Sequence, residues 1–148
     1  MKKDHKTIVE ALNYAIAREV EAHDFYKKLS RQVNKTHLKK TLADFAIDEF
    51  QHKIHLEAIR DGQVAMHEDD VGALHIAECL IEIQPHESMQ YDELLALAIR
   101  KEYAAQQLYL KLSEASSEPE TKRVFQLLAQ EEARHKLALE IEYDLITF

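Results

Sequence analysis

Two parts of the chain repeat each other at an offset of 83 residues, and this repeat limits the fold more than any other feature. The segment AIAREVEAHDFYKKLS (15–30) aligns with AIRKEYAAQQLYLKLS (98–113), and FAIDEFQHKIHLE (45–57) aligns with LAQEEARHKLALE (128–140), in both cases without a gap. In each copy 30 residues separate a glutamate of the first segment from a glutamate of the second. The chain is therefore expected to hold two copies of one unit, related by a pseudo-twofold axis.

Apolar residues in these segments recur at the 4-3-4-3 spacing of amphipathic helices. Four helices are predicted, over about 7–32, from near 34 to 60, over about 90–115, and from near 117 almost to the C-terminus. The first begins with the capping-box spacing of Thr7 and Glu10, and the second ends at the turn signal Asp61-Gly62. Very short connections within each pair predict two antiparallel hairpins.

Residues 61–89 join the two hairpins as a long crossover, in which ALHIAECLIEI (73–83) is compatible with a short helix of its own. A chain of 148 residues fits one domain, here 1–148. Only two Gly and two Pro, with 46% hydrophobic and 31% charged residues, favour long helices over a sheet. The expected fold class is all-α, a four-helix bundle made of two antiparallel hairpins.

Composition excludes several classes of function. No window approaches the roughly 18 uncharged apolar residues of a membrane span, so no membrane association is expected. The net charge of −8 opposes nucleic acid as a partner, because phosphate binding needs clustered cations. The first residues lack the apolar stretch of a secretion signal, which predicts a cytoplasmic location. Cys79 is the single cysteine, so neither an internal disulfide nor a four-cysteine metal site is expected.

In each predicted helix, the stripe that faces the bundle axis is apolar at its ends and ionisable in the middle. The stripe of the fourth helix, for example, places a glutamate and a histidine between Leu128 and Leu139. Six ionisable residues are thus expected to converge at mid-height of one core, and they are Glu19, Glu49, His52, Glu102, Glu132 and His135.

Four carboxylates without cationic partners cannot share a bundle core at acceptable cost. Each buried, unpaired carboxylate costs several kcal/mol, against a total stability of roughly 5–15 kcal/mol. No Lys or Arg lies on any of the four stripes, whereas two divalent cations would neutralise the four charges. A single glutamate on such a stripe is usually an edge residue whose tip reaches water, and a single core histidine is usually only hydrogen-bonded. Six of them, duplicated by a repeat that keeps their spacing, favour a dinuclear metal site.

The motifs EFQH (49–52) and EARH (132–135), with single glutamates at 19 and 102, resemble the ligand set of carboxylate-bridged di-iron bundles. Over nearly its whole length the chain is similar to ferritin-like proteins of the rubrerythrin group. This resemblance implies a ferritin-like bundle and a role for each of the six residues. Glu49 and Glu132 would bridge two metal ions, Glu19 and Glu102 would be terminal ligands, and His52 and His135 would each bind one ion.

The same resemblance implies partners for the two histidines. In related bundles the acid that precedes each bridging glutamate accepts a hydrogen bond from the histidine of the opposite hairpin, which assigns Asp48 to His135 and Glu131 to His52. Solvated helix acids are an equally good interpretation of both. Tyr26 and Tyr109 lie on the stripes two turns from the single glutamates. A buried phenol needs a hydrogen-bond partner, and a ligating carboxylate is the nearest candidate, although core filling explains these tyrosines about as well.

The chain also departs from rubrerythrin itself. Rubrerythrin adds a rubredoxin-type cysteine module, and with Cys79 alone the electrons would have to come from a separate donor protein. The additional carboxylate that rubrerythrin carries one turn after its third-helix glutamate is here Ala105, mirrored by Ala22. In that respect the six-ligand set resembles the ferroxidase centre of bacterioferritin. The haem-ligating methionine of bacterioferritin would fall at Phe50, and only 13 residues of the sequence follow His135, so neither haem nor the fifth helix of ferritin cages is expected.

The function expected from this resemblance is a di-iron oxidoreductase that reduces peroxide or O₂ while Fe(II) is oxidised, as a peroxidase or a ferroxidase. The alternative is a protein that binds, sequesters or senses iron without turnover. Manganese or a mixed metal pair is a third interpretation, because carboxylate and imidazole ligands suit several first-row ions. Dimers are common in such folds, so a homodimer is conceivable, although no interface signal is evident in the sequence.

Overall fold

Four α-helices account for nearly all of the described chain. The computed structural model describes residues 8–62 and 84–147, apart from the side chain of residue 8. The helices are α1 (Ile8–Gln32), α2 (Thr36–Arg60), α3 (Tyr91–Ala115) and α4 (Pro119–Thr147). They confirm the predicted all-α fold class. Thr7 of the predicted capping box, the segment 73–83 and Cys79 lie outside the described residues.

The helices pack as two hairpins. α1 packs against α2, and α3 packs against α4, while the backbones of the two hairpins approach each other at α2 and α4. Only residues 33–35 separate α1 from α2, and only 116–118 separate α3 from α4. Such short connections hold successive helices antiparallel, as the sequence predicted.

Two helices begin about two residues later than predicted, for local reasons. Lys35 is extended, with φ −73° and ψ 122°, so α2 begins at Thr36 rather than near Asn34. α4 begins at Pro119, whose fixed φ suits the first helical position and whose ring disfavours helical backbone in the residue before it. α3 has a capping box that the sequence pattern did not predict, in which the Gln90 backbone N–H donates to Glu93 Oε1 over 2.9 Å.

The apolar core is divided into two clusters along the bundle. One cluster combines the first half of α1 and the end of α2 with the second half of α3 and the first half of α4, and includes Leu12, Leu56, Leu112 and Phe125. The other lies toward the opposite end of the bundle and includes Tyr26, Leu42, Leu95 and Leu139. The layer between them is where the stripes are ionisable, so the apolar clusters close off this layer from both ends.

No described helix is long and apolar enough to cross a lipid bilayer.

Candidate metal centre

The layer between the apolar clusters holds the ionisable residues that the repeat places in register. Each helix contributes a glutamate, and α2 and α4 also contribute a histidine three residues later, on the same helix face. None of these six residues is more than 3% exposed, and they are Glu19, Glu49, His52, Glu102, Glu132 and His135. The structure therefore brings together all six residues that the sequence singled out.

These side chains form two groups that share members. In the first group, ligand atoms of Glu19, Glu49, His52 and Glu132 all lie within 4.8 Å of one another. In the second, atoms of Glu49, Glu102, Glu132 and His135 satisfy the same limit. Glu49 and Glu132 belong to both groups, whereas each remaining residue belongs to one. This is the arrangement of two adjacent cation positions with two carboxylates between them.

Several polar atoms inside the cluster have close polar neighbours but no partner with hydrogen-bonding geometry among the described residues. They are Glu49 Oε1, Glu102 Oε2, Glu132 Oε1 and His135 Nδ1. Buried polar atoms are normally paired, because an unpaired one loses its hydration without compensation. These three carboxylate oxygens and one imidazole nitrogen converge in a buried layer. Such a donor set suits divalent first-row metal ions. The residues present thus fit the metal pair that the sequence predicted, and their assignment as ligands stays a prediction.

Both histidines direct Nδ1 into the cluster. His52 Nδ1 lies 3.2 Å from a carboxylate oxygen of Glu19, 3.3 Å from Glu49 and 3.2 Å from Glu132. His135 Nδ1 lies 3.4 Å from Glu49 and 3.6 Å from Glu102. The second nitrogen of each ring points away from the cluster and is available to an outer acceptor.

That outer acceptor is an acid of the opposite hairpin in both cases. Nε2 of His135 lies 2.9 Å from Asp48 Oδ2, and Nε2 of His52 lies 3.1 Å from Glu131 Oε2. In the neutral imidazole, an Nε2–H that donates to these carboxylates fixes the tautomer and leaves Nδ1 with a lone pair directed at the cluster. The pairing of acid and histidine is the one that the resemblance implied. Asp48 is 36% exposed and Glu131 is 28% exposed, so both also reach solvent.

Two buried tyrosines connect the hairpins at this level. The Tyr26 hydroxyl, from α1, donates to Glu102 Oε1 of α3 over 2.7 Å. Reciprocally, the Tyr109 hydroxyl of α3 donates to Glu19 Oε2 of α1 over 2.5 Å. The carboxylate partner of each phenol therefore lies on the other hairpin rather than on its own helix. These two bonds hold the single glutamates in place and tie α1 to α3.

Burial and the crowding of negative charge in the cluster raise the pKa values of its central glutamates. Burial and the neighbouring carboxylates, Glu132 foremost, raise the pKa of Glu49 well above its usual range. Burial and the charges of Glu102 and Glu19 raise the pKa of Glu132 to about 8, against an opposing effect of His52. Without a cation, these carboxyl groups favour the protonated state at neutral pH.

The same negative charges also raise the pKa of each histidine, where they favour the charged form of the side chain. Burial lowers the pKa of His52, but the close carboxylates of Glu132 and Glu19 outweigh it and raise the value to about 11. For His135 burial again lowers the pKa, and Glu102 with Glu132 and Asp48 raises it to about 9. Even two imidazolium groups would supply only two positive charges for four carboxylates, so full ionisation of the glutamates requires further cations.

One contributor to the site was not predicted from the sequence as a partner of the cluster. Phe45 lies flat against the ring of His135, with centroids 4.0 Å apart and an interplanar angle of 24°. Its counterpart in the repeat is Leu128, which has no aromatic face to offer. The two copies of the repeat differ at this position, but from the sequence alone a phenylalanine on an apolar stripe cannot be distinguished from a residue that only fills the core.

A cavity of about 490 Å³ opens between α1 and α3 and reaches the cluster. All four glutamates contribute to its wall, and neither histidine does. Ala22 and Ala105, one turn beyond Glu19 and Glu102, also line it. The histidines and their outer acids thus belong to the α2–α4 side of the bundle, while access is from the α1–α3 side.

The sequence model of the rubrerythrin family matches residues 10–76 and 93–144. The chain belongs to the rubrerythrin family. Among curated protein sequences, none matches the chain. Within the given sequence of this rubrerythrin-family member, one cysteine is present, so the 148 residues contain no four-cysteine centre of the rubredoxin type.

Solved structures show the same fold. A Thermotoga maritima protein assigned to the ferritin-like diiron-carboxylate proteins is 22% identical, with a TM-score of 0.81 over 99% of this chain and 100% of its own. A hypothetical protein from Pyrococcus furiosus is 30% identical, with a TM-score of 0.76 over 93% of this chain and 89% of its own. KatB, a manganese catalase from Anabaena, is 21% identical, with a TM-score of 0.68 over 96% of this chain and 71% of its own. The rubrerythrin-family chain is therefore a ferritin-like four-helix bundle.

Proposed function

We propose that the chain is a di-iron carboxylate oxidoreductase that reduces peroxide or O₂ with oxidation of Fe(II). The observation that carries this proposal is the pair of buried four-residue groups that share Glu49 and Glu132. The unpartnered oxygen atoms inside the cluster and the family membership support it. When bound, an iron pair supplies the two electrons needed to reduce an O–O bond, by changing between Fe(II) and Fe(III).

The protein's own residues set the geometry for this chemistry. Glu49 and Glu132 would lie between the two ions, with Glu19 and His52 on one side and Glu102 and His135 on the other. The hydrogen bond from Tyr26 holds Glu102 Oε1, which leaves Oε2, on the side of His135, for a cation. The hydrogen bond from Tyr109 holds Glu19 Oε2, the oxygen that also lies 3.2 Å from His52 Nδ1. Asp48 and Glu131 hold the imidazole rings in one tautomer. These supports keep the donor set in place before an ion binds.

Apolar surroundings complete the site. The clusters above and below the glutamate layer exclude bulk water, which strengthens every electrostatic interaction inside. The cavity between α1 and α3 gives a small oxidant a path to the carboxylate side of the layer. Electrons for repeated turnover would come from a separate donor protein, as the single cysteine led us to expect.

The test is stopped-flow mixing of the Fe(II)-loaded protein with H₂O₂ and, separately, with air-saturated buffer. We expect a near-ultraviolet absorbance change within seconds of mixing with at least one of the oxidants, because Fe(III) forms. A faster reaction with H₂O₂ identifies a peroxidase, and a faster reaction with O₂ identifies a ferroxidase. No spectral change with either oxidant would refute the proposal.

Two additions to this experiment address the alternatives. Repeated cycles with a chemical electron donor distinguish an enzyme, which is reduced and oxidised again, from a protein that only sequesters iron. A parallel sample loaded with Mn(II) is warranted, because the manganese catalase from Anabaena shares the fold and the ligand types suit both metals. Elemental analysis of the protein as purified then shows which metal it carries.

A further inference from the structure

The cavity between α1 and α3 is much larger than peroxide or O₂ requires. A water molecule occupies roughly 30 Å³ of liquid, and H₂O₂ is only slightly larger. The cavity holds about 490 Å³, which lies within the roughly 300–1,000 Å³ range of sites for organic ligands. Its size therefore indicates an occupant larger than O₂ or H₂O₂.

The chemical character of the wall changes along the cavity. Its inner end is formed by the glutamate layer, where Glu49, Glu102 and Glu132 each leave a buried oxygen unpartnered among the described residues. Apolar side chains line one part of the remaining wall, among them Phe25, Leu29, Leu94, Leu97 and Leu108, and charged residues that include Arg18, Glu21, Lys28 and Lys101 line another part. An apolar surface of this extent is poorly hydrated and favours a ligand with an apolar body.

Small side chains leave space in the cavity beside the glutamate layer. Ala22 on α1 and Ala105 on α3 are equivalent in the two copies, and both line the cavity beside Glu19 and Glu102. A longer side chain at either position would fill the space between the apolar wall and the glutamate layer. These two alanines are therefore positions at which added side-chain volume would block an organic ligand from the glutamate layer.

We propose that the cavity binds an organic hydroperoxide, with its apolar body against the α1–α3 wall and its O–O group toward the four glutamates. This inference rests on the proposed function and names its substrate class. In the overall reaction the O–O bond of ROOH breaks, and two electrons and two protons yield ROH and water. The electrons come from a one-electron-carrying redox protein, the same external donor that the proposed function requires.

The product alcohol allows the binding site to be tested apart from turnover. Cumyl alcohol, the product of cumene hydroperoxide, is titrated into the metal-loaded resting protein by isothermal titration calorimetry. Saturable binding of one molecule per chain is expected. Ala105→Leu should weaken it by about tenfold or more, which corresponds to about 1.4 kcal/mol or more, because the added methyl groups occupy space that the ligand needs. Ala22→Leu makes the same test from the opposite wall, should the first variant fail to fold.

Ala17→Leu is the matched control, since Ala17 is an exposed α1 residue that does not line the cavity. It should bind cumyl alcohol as the unmodified chain does. Absence of saturable binding, or equal affinity in well-folded Ala105→Leu and Ala22→Leu proteins, overturns the inference. A protein that oxidises Fe(II) with H₂O₂ but does not bind the alcohol keeps its proposed function and loses this substrate class. A protein inert to H₂O₂, O₂ and cumene hydroperoxide loses both.

Discussion

Glu49 and Glu132 differ from the other glutamates in that each belongs to both four-residue groups of the cluster, each of which we propose to hold one cation. Replacing one of them would therefore affect both ions, whereas replacing Glu19 or Glu102 would affect one. We predict that Glu49→Gln, which keeps the volume but not the charge, lowers the metal content from two ions per chain to one or none. Metal analysis after gel filtration measures it.

The control for this substitution is Glu114→Gln on the exposed surface of α3. It changes the same side chain in the same way outside the cluster, and it should retain two ions per chain. A Glu49→Gln protein that also retains two ions would contradict the shared position of this carboxylate.

The residues of the cluster could be predicted from the sequence because helical periodicity fixes which side chains share a face. Glu49 and His52, three residues apart, fall on the stripe of Leu42 and Leu56 by spacing alone, and the structure buries all four. The partners of those residues depended on more than periodicity. Which hairpin supplies Asp48 to His135 followed only from resemblance to related bundles, since spacing along one helix does not say which side chain of another helix it meets.

At the scale of helices, the hydrogen bonds of Tyr26 and Tyr109 join α1 to α3 at the wall of the cavity. We predict that Tyr26→Phe lowers the free energy of unfolding of the metal-loaded protein by about 1–3 kcal/mol, because the phenyl ring keeps the packing while Glu102 loses a buried donor. In a chain of this length that corresponds to a fall in the melting temperature of about 2–4 °C per kcal/mol.

Thermal unfolding monitored by circular dichroism measures the change. Tyr103→Phe is the control, because this α3 tyrosine is 52% exposed and its hydroxyl can bond to water. Its melting temperature should stay within about 1 °C of the unmodified protein, as expected of a surface change. Equal melting temperatures for Tyr26→Phe and Tyr103→Phe would show that the bond to Glu102 contributes nothing.

The helices themselves were predictable to within about two residues, but the cavity between them was not. Ala22 and Ala105 lie on the axial stripes, so periodicity predicted both as core residues. In the structure they are only partly buried, because α1 and α3 stand further apart than α2 and α4 do. Separation between helices depends on the summed volume of side chains in three dimensions, and one helix's pattern carries no information about it.

At the scale of the whole molecule, the buried charge couples folding to protons and to metal. In the metal-free protein the pKa of Glu132 is raised from 4.5 to about 8, and that of His135 from 6.5 to about 9. Both groups bind protons more tightly when folded than when unfolded. Stability from these groups is therefore fully present below their unfolded pKa values and is lost as pH rises through the folded ones.

Metal binding reverses this dependence, because the cations bind deprotonated carboxylates and unprotonated Nδ1 atoms. We predict that the melting temperature of the metal-free protein falls between about pH 5 and pH 9, while that of the metal-loaded protein rises over the lower part of the same range as protons cease to displace the ions. Differential scanning calorimetry of both forms, at constant ionic strength, measures the two curves. A metal-free protein that becomes more stable as pH rises would mean that its core glutamates are not held protonated, and that the cations are not what makes their ionisation tolerable.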